Sequence, residues 1–480
     1  MSEKTLHLAF KPKSSYEKDA VRIVQKLQKH GQAAFFVGGF ARDLLMKRKR
    51  ADIDIASSAT PWMAKKMLLP FRVIDRDKKF GTLRVIVEGG TIELTTFRSE
   101  EAYEDRRRPG QVSFIHSAED DARRRDFTIN GMFYDPTEQM LYDFVGGIDD
   151  IKKKIIRCIG DPKKRFSEDA LRMLRAFRFQ AQTGYAIEPK TLAALRKTAP
   201  FIQEIASERV RSEIEKLLLG NFSTTALRDM HASHLMKYVM PEIFLLSTVK
   251  QNPLYHAEGD VFTHTMMVLD ALPKDADISL RLAALFHDVG KAKTTKEVRE
   301  NGKRKIVSYN HEVEGANMIQ RILGQQGLRF DNLTIKKVEW LVRNHMVMYQ
   351  LKDMRMAKQM AYATHKWFPE LLELDRADDL GRMSKDHDPL IPYKYGKKML
   401  RRAEVSTNNK PLDVFLKTIV TGNDIKEILE IPGGPRVGNI LREIRQLFYQ
   451  GKITTRKQAI AHLLGKKKVI QGGLEKKKQV

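Results

Sequence analysis

The chain is poor in cysteine, and Cys158 is the single one among its 480 residues. One thiol forms no internal disulfide bond and no cysteine-based zinc cluster, which is typical of a protein from a reducing compartment. The chain also has no run of about 18 or more apolar residues, and the segment after Met1 lacks the apolar core of a signal peptide. We therefore expect a cytoplasmic protein with no membrane partner, in which Cys158 is a small buried residue.

Acidic residues are in deficit, because 60 Asp and Glu stand against 86 Lys and Arg and give a formal net charge of +26. A field of this sign attracts polyanions, and the attraction weakens as salt is added. RNA is the expected partner; an anionic membrane surface is the second candidate, which the absence of a long apolar run and of a signal-peptide core disfavours.

The length of the chain exceeds what one hydrophobic core usually organises, so several domains are expected. Up to about residue 155, β-rich runs such as 81–87 and 91–97 alternate with helical segments, and beyond it the apolar spacing is almost entirely helical. Within 293–310, an Asn-Gly pair between apolar residues predicts a β-hairpin, and 381–398 is predicted to be loop-like. The predicted fold class is α+β, with a mixed head followed by an all-α body.

The most informative motif is Gly38-Gly39 after an apolar strand, followed by Asp52 and Asp54. Two glycines let backbone N–H groups approach a phosphate closely, and carboxylates at i and i+2 of a strand point the same way and can share metal ions. Taken alone, Gly-Gly is usually a turn and Asp-x-Asp is usually surface charge. Together and in this order they favour a site for nucleotidyl transfer.

A cationic cluster at 123–125 precedes a polar segment, 126–130, that is predicted to be strand-like. Arginines suit a triphosphate because they form charge-assisted hydrogen bonds with its oxygens. The alternative interpretation is a solvated basic loop.

The segment 167–175 predicts one helix with Ser167 as its N-cap. Asp169 and Arg172 then stand at i and i+3 on one face, an acceptor beside a fork of donors. This pair matches the Watson–Crick edge of cytosine or adenine and rejects uracil and guanine. The alternative is that the acids only favour the helix N-terminus. Phe177, Phe179 and Tyr255 are expected in the core rather than as stacking platforms.

These motifs resemble those of the class II tRNA nucleotidyltransferases, the CCA-adding enzyme family that also contains bacterial poly(A) polymerases. The matching stretches are VGGFARD (37–43), DID (52–54), YEDRRRP (103–109), RRDFTIN (124–130) and EDALRMLRAFRF (168–179). The resemblance covers about the first 235 residues. It implies that Asp52 and Asp54 bind two Mg²⁺ ions with Glu93 as a third catalytic carboxylate, and that Asp169 and Arg172 select CTP and then ATP. The implied nucleotide-binding residues are Gly38, Gly39, Arg42, Asp43, Arg125, Asp126, Asn130, Glu168, Asp169, Arg172, Arg175 and Arg178.

The chain departs from the family pattern at two places. Met46-Lys47-Arg48-Lys49-Arg50 stands where the family usually has Leu-Gly-Arg-Pro, and Gly131 stands where it has alanine. Neither change removes a catalytic group. The segment 98–109 is full length, which argues against an enzyme restricted to the two cytidines and leaves open one that adds only the terminal adenosine.

A second constellation lies in the helical body, where His287-Asp288 follows an apolar run and precedes Gly-Lys. A polar pair at the edge of a core needs partners. The stretch 250–385 resembles the HD metal-dependent phosphohydrolases, a family that would trim 2′,3′-cyclic or 2′-phosphate ends of RNA. Its pattern implies a divalent metal of unknown identity on His264, His287, Asp288 and Asp378. His311 and His345 would complete a second metal position or contact phosphate.

The sequence therefore predicts a nucleotidyltransferase head (1–158), a helical neck that selects the nucleotide (159–245), an HD domain (250–385) and a helical, tRNA-binding tail (386–480). The predicted function is untemplated addition of CCA to the 3′ end of tRNA from CTP and ATP, with release of pyrophosphate. The alternatives are an A-only or poly(A)-adding relative, an HD phosphohydrolase acting on RNA ends, and a noncatalytic RNA-binding protein. The oligomeric state is not indicated.

Overall fold

The computed structural model describes residues 4–48, 52–77, 80–103, 109–251, 259–300, 303–382, 390–410 and 412–476. The chain divides into two compact units, Met1–Phe244 and Leu245–Val480. Some predicted features lie outside the described residues. These are the middle of the 98–109 segment, Tyr255, the Asn-Gly turn of the hairpin and the boundary at 385/386.

The first unit combines strands with helices. Its strands are β1 (Lys4–His7), β2 (Ala34–Val37), β3 (Asp54–Ser57), β4 (Arg72–Asp77), β5 (Thr82–Val87), β6 (Gly90–Thr96), β7 (Arg98–Tyr103), β8 (Pro109–Phe114), β9 (Met132–Asp135), β10 (Met140–Asp143), β11 (Ile155–Ile156) and β12 (Ala186–Ile187). Its helices are α1 (Ser15–Lys29), α2 (Gly39–Leu45), α3 (Pro61–Met67), α4 (Ala118–Arg123), α5 (Gly147–Lys153), α6 (Pro162–Glu168), α7 (Leu171–Thr183), α8 (Pro189–Thr198), α9 (Ser207–Leu218), α10 (Ser223–Ala232), α11 (Met236–Val239) and α12 (Pro241–Leu245).

One sheet organises the head, with strand order β1-β10-β9-β2-β3-β6-β5-β4. Its neighbouring strands are antiparallel except for β3 and β6, which are parallel. The register pairs Val37 with Asp54, and Asp54 with Glu93. Three adjacent strands therefore bring the Gly-Gly turn and two predicted catalytic carboxylates to one place. Strands β5 and β6 also confirm the β-rich runs predicted near 81–87 and 91–97.

A cluster of aromatic rings fixes helix α2 above the end of strand β2. The ring of Phe40 lies 4.9 Å from that of Phe36 and 5.3 Å from that of Phe10, and Tyr134 packs beside them. All four are buried, and each such side chain contributes about 1.5–3 kcal/mol when removed from water. The cluster holds Gly38 and Gly39 in a defined position.

The single helix predicted over 167–175 is wrong, because the chain forms two helices there. Asp161 caps α6 and Pro162 occupies its first turn, so a separate helix begins earlier. Ser167 lies inside α6, where its hydroxyl donates to the Lys163 carbonyl at 2.9 Å. The backbone is extended at Asp169, whose carboxylate accepts from the N–H of Leu171 at 3.1 Å. Asp169 therefore precedes the helix that carries Arg172.

The strand predicted over 126–130 is also wrong. Thr128–Asn130 is one 3-10 turn, and Phe127 alone makes a β-bridge, with Cys158. Cys158 is buried as expected, and burial raises the pKa of its thiol to about 12.

The second unit is mainly helical. Its helices are α13 (Val261–Ala271), α14 (Ile278–Phe286), α15 (Lys291–Thr294), α16 (His311–Leu323), α17 (Asn332–Asn344), α18 (Met348–Leu351), α19 (Met356–Ala363), α20 (Phe368–Leu380), α21 (Ile391–Ser406), α22 (Leu412–Ile419), α23 (Gly422–Leu429), α24 (Pro435–Tyr449) and α25 (Arg456–Lys476). Antiparallel strands β13 (Lys296–Glu300) and β14 (Lys303–Val307) confirm the predicted hairpin. The loop predicted over 381–398 is wrong from Ile391 onward, since Pro392 is accommodated in the first turn of α21. In the described part of the chain, every helix is too short or too polar to cross a membrane.

We predict that Lys47→Gly stabilises helix α2. Lys47 follows this helix with φ +53°, a left-handed conformation that costs a residue with a Cβ atom about 1 kcal/mol. Hydrogen exchange of the α2 amides should slow about fivefold in this variant. Lys47→Ala is the control, because it removes the charged side chain and keeps the Cβ; equal protection in the two variants would contradict the explanation.

Candidate active site and metal centre

A cavity of about 1210 Å³ in the first unit gathers most of the predicted site residues. Its lining carries ten Lys or Arg side chains and six Asp or Glu side chains, an excess of positive charge that suits a triphosphate. The predicted residues that line it are Gly38, Gly39, Arg42, Asp52, Asp54, Glu93, Arg125, Asp126, Asn130, Asp169, Arg172, Arg175 and Arg178. Asp43 and Glu168 stand behind this wall, each as the acceptor of a lining arginine.

Three predicted catalytic carboxylates line the sheet side of the cavity. Asp54 begins β3, Asp52 lies two residues before it, and Glu93 is the register partner of Asp54 on β6. Partial desolvation by the cavity walls raises the pKa of Asp54, Arg125 opposes this effect, and the charge of Asp52 adds to it. Carboxylates crowded in this way attract a hard cation, and oxygen is the ligand that Mg²⁺ prefers. Asp52 and Asp54 therefore offer the donor chemistry of a divalent metal site, whereas Glu93 forms an ion pair with Arg76 and would have to leave it to join them.

The glycine turn lies next to a fixed arginine. Gly38 has φ +65° and begins helix α2, a conformation for which glycine carries no Cβ penalty. The Arg42 guanidinium donates from Nε to Asp43 Oδ1 and from Nη1 to Asn130 Oδ1, both at 2.9 Å. Asp43 and Asn130 thus hold the orientation of a buried cation.

A buried aspartate that the sequence analysis did not single out fixes the side chains of two more arginines. Asp121 is fully buried and accepts from Arg124 Nε at 2.8 Å and from Arg125 Nη2 at 2.9 Å. Burial alone would raise the pKa of Asp121, but the two guanidinium groups outweigh it and lower the pKa. Arg125 also lies 4.9 Å from the ring centroid of Phe133.

Asp126 joins the head to helix α7. Its Oδ2 accepts from Arg175 Nε at 2.6 Å, and its Oδ1 accepts from the Phe127 N–H at 2.8 Å. Burial would raise the pKa of Asp126, yet the charge and hydrogen bonds of Arg175 lower it overall. The pair is therefore ionised at neutral pH and fixes the start of α7 against the head.

Asp169 and Arg172 both line the cavity, and each has a support. Arg172 Nη1 donates to Glu168 Oε2 at 2.9 Å and to the Arg165 carbonyl at 3.1 Å. Asp169 Oδ2 accepts from Arg209 Nη2 at 3.3 Å. The two side chains are thus held on the same wall although they do not share one helix.

Sequence reasoning missed Arg209 and Glu213, both on helix α9. Glu213 is buried and pairs with Arg178 at 3.2 Å, and Arg209 supports Asp169. The sequence shows that these charges lie in an amphipathic helix, but only the packing of that helix shows that the charge of Glu213 is buried. Burial and the neighbouring charge of Arg175 lower the pKa of Arg178 to about 10, so its positive charge is incompletely compensated. Phe177 and Phe179 are core residues as expected, and Phe179 also meets the cavity.

In the second unit, the predicted HD residues form two groups of three. His264, His287 and Asp378 present one ligand atom each within 4.8 Å of one another, and so do Asp288, His311 and His345. Asp288 faces both groups, with Oδ2 at 3.3 Å from His287 Nε2 and Oδ1 at 3.2 Å from His311 Nε2.

Backbone carbonyls orient three of these imidazoles. The Nδ1 atoms of His287, His311 and His345 lie 2.7–2.8 Å from the carbonyls of Ala284, Ser308 and Val342. Protonation at Nδ1 leaves the lone pair on Nε2 facing the centre.

The centre brings together donor atoms that a bound cation would stabilise. His311 Nε2 and His345 Nε2 lie only 3.2 Å apart, and His287 Nε2 is buried without a hydrogen-bond partner among the described residues. Imidazole and carboxylate donors suit a divalent transition metal. The residues therefore fit the metal that the HD pattern implies.

Gly290 allows the two ligand-bearing segments to approach. A Cβ atom at this position would lie 2.1 Å from the His311 carbonyl oxygen. Any larger residue would push helix α16, and with it His311, away from Asp288.

The regions that carry the two sites match known protein families. Residues 34–157 match the family described as poly A polymerase head domain, residues 184–246 match the probable RNA and SrmB-binding site of polymerase A, and residues 261–383 match the HD domain. The CCA-adding enzyme of Streptococcus mutans serotype c is 30% identical over 453 residues, which cover 93% of this chain and 96% of that protein. The CCA-adding enzyme of a Geobacillus species is 46% identical over 220 residues, which cover 46% of this chain and 54% of that protein.

The fold is also similar to a solved one. The crystal structure of the Bacillus stearothermophilus CCA-adding enzyme in complex with CTP is 27% identical and superposes with a TM-score of 0.66, covering 96% of this chain and 100% of the other. The fold is α+β, with a polymerase head and an HD domain, as the sequence predicted. Since the Streptococcus mutans relative is matched over nearly its whole length, the chain belongs to the CCA-adding enzyme family.

Proposed function

We propose that this protein adds CCA to the 3′ end of tRNA without a nucleic-acid template, using CTP and ATP and releasing pyrophosphate. The observation that carries the proposal is the composition of one cavity. It is lined by the three predicted catalytic carboxylates, by an excess of arginines, and by both Asp169 and Arg172. The assignment to head (1–158), neck (159–245), HD domain (250–385), tail (386–480) and a cytoplasmic location is part of this proposal.

In the proposed mechanism, Asp52, Asp54 and Glu93 hold two Mg²⁺ ions, which when bound would activate the RNA 3′-hydroxyl and neutralise the leaving pyrophosphate. The glycine turn offers backbone N–H groups to phosphate oxygens, and Arg42 and Arg125 add charge-assisted hydrogen bonds. Because buried carboxylates already fix both arginines, little reorganisation is needed when the triphosphate binds. Catalysis thus comes chiefly from positioning and electrostatics.

The same site would read the base. Asp169 accepts from the exocyclic amino group of cytosine or adenine, and Arg172 donates to the adjacent ring nitrogen or carbonyl. Uracil and guanine place a carbonyl opposite the carboxylate, where two acceptors repel. A bidentate contact of this kind discriminates by about 1–3 kcal/mol in other nucleic-acid complexes.

The proposal is tested by extending end-labelled tRNA that lacks its 3′ terminus, with Mg²⁺ and with CTP alone, ATP alone, or both. Two cytidines from CTP alone, and one further adenosine when ATP is added, are expected. Extension only of tRNA that already ends in two cytidines, or a long adenosine ladder, would contradict CCA addition in favour of an A-only or poly(A)-adding relative. No extension with any combination would leave the HD centre as the candidate activity.

We predict that Asp52→Asn abolishes nucleotide addition and leaves the Kd for tRNA within about twofold, because the carboxylate is assigned to metal rather than RNA. Asp77→Asn is the matched control, since Asp77 also lines the cavity but is not one of the three predicted catalytic carboxylates. Single-turnover extension and filter binding give the two readouts. Full activity in Asp52→Asn would refute the metal assignment.

We predict that Arg172→Ala lowers discrimination against UTP by about tenfold or more, because it removes one side of a bidentate contact. Arg165→Ala is the matched control. Arg165 pairs with the same Glu168 at 2.8 Å but does not line the cavity. The ratio of kcat/KM for CTP and UTP measures the effect, and an unchanged ratio in Arg172→Ala would show that another group reads the base.

A second activity, hydrolysis of phosphate at RNA ends, is proposed for the HD centre. It is supported by the two ligand groups that share Asp288. We predict that His345→Ala binds one equivalent of Mn²⁺ fewer than the wild-type protein, measured by calorimetry. His365→Ala is the control, because His365 stacks on Trp340 outside both groups. Equal stoichiometry in wild type and His345→Ala would contradict the assignment.

A further inference from the structure

The hairpin formed by β13 and β14 lies between ligands of the HD centre in the chain. It follows His287 and Asp288 and precedes His311. Its two ends are joined by the hydroxyls of Thr295 and Ser308, which lie 2.7 Å apart. The Ser308 carbonyl in turn orients His311 at 2.7 Å. The hairpin is therefore anchored directly to a predicted metal ligand.

One face of the hairpin is unusual in charge. The register places Arg299 directly opposite Arg304, and both side chains are exposed. Val307 is buried on the other face, so the arginine pair lies on the side turned to solvent. Like charges directly across two strands are destabilising. Glu297 lies on the same face two residues before Arg299, and among the described residues no ion pair is formed between an acid and either arginine.

An exposed aromatic side chain stands at the end of the hairpin that leads to the HD centre. Tyr309 follows the hairpin, is 64% exposed, and lies two residues before His311. Exposed tyrosines near guanidinium groups are typical of surfaces that bind single-stranded nucleic acid, where bases stack and phosphates pair. The arginine pair lies beside the hairpin turn and Tyr309 follows the opposite end, toward His311, so an RNA strand that runs along the hairpin would meet cations first and an aromatic ring near its terminus.

We propose that the hairpin surface formed by Arg299, Arg304 and Tyr309 binds single-stranded RNA and leads its terminus to the HD centre. The arginines contact neighbouring phosphates, which relieves their repulsion, and Tyr309 stacks on a base near the end. This inference deepens the proposed HD activity, since it names the substrate of that centre as a single-stranded RNA end.

The test uses full-length protein and a ten-nucleotide RNA with a 2′,3′-cyclic phosphate and a 4-thiouridine next to its 3′ end. After irradiation, mass spectrometry should find the crosslink in the peptide that contains Tyr309. Arg299→Gln/Arg304→Gln should lower its yield about fivefold and reduce the slope of log Kobs against log[salt] by about 1.4, or about 0.7 per phosphate contact. Lys274→Gln/Lys336→Gln removes two exposed cations elsewhere in the unit and should leave both values unchanged.

Arg299→Glu separates a structural role from a binding role. It places opposite charges across the strands and should stabilise the hairpin, yet it should lower the crosslink yield at least as much as the double variant. The proposal would be overturned if residues 296–309 gave no crosslink or if all variants gave equal yields. It would also be overturned if the arginine substitutions weakened binding to anionic vesicles but not to the RNA.

Hydrolysis of bis(p-nitrophenyl) phosphate with Mn²⁺ keeps the two hypotheses apart. Hydrolysis of this small substrate needs the metal centre but not the hairpin surface. If the protein does not hydrolyse this substrate, the proposed HD activity is refuted, and the crosslink still tests whether the hairpin surface binds RNA. If the double variant hydrolyses the small substrate normally but has a higher KM for the RNA substrate, the role of the hairpin surface is supported.

Discussion

Pairing of buried carboxylates with arginines is the interaction on which the rest of the first unit depends. The cavity needs fixed positive charge for a polyanionic nucleotide, but uncompensated guanidinium groups would repel one another and disfavour folding. Asp121 and Glu213 offset this repulsion from behind the cavity wall and Asp126 does so from the wall itself, and all three are buried. The arginines therefore line the cavity in an orientation that is already set. In the proposed mechanism, this preorganisation lets the protein, rather than an RNA template, define the shape of the base that fits.

The side chains of the HD centre are also held in place by their surroundings, but there they are arranged to bind a cation rather than an anion. Imidazoles and carboxylates converge on a small volume, and backbone carbonyls from helix ends hold the rings so that their lone pairs point inward. Such an arrangement is unfavourable without a cation, and it is retained because the surrounding helices over-determine it. Gly290 shows how local the requirement is, since one added methyl group would separate the ligand-bearing segments.

Much of this could be predicted from the sequence, and the failures have physical reasons. Strand β6 and helix α7 follow from alternating and helical apolar spacing, and the ligand sets follow from motifs with specific order. The break at Asp169 was missed because Asp161 and Pro162 start an earlier helix, a local signal that was outweighed by the acidic residues after Ser167. Arg209 and Glu213 were missed because the burial of a charge depends on packing between helices distant in sequence. The boundaries of the predicted regions and the roles of individual residues remain predictions.

The central claim is that protein side chains select the nucleotide. The most direct measurement is the equilibrium Kd of CTP, ATP, UTP and GTP for the full-length protein with Mg²⁺ and without tRNA. The account predicts that CTP and ATP bind about tenfold or more tightly than UTP and GTP, in line with a bidentate contact. Equal affinities for all four nucleotides would contradict the account and would assign the selection to the RNA or to a later step.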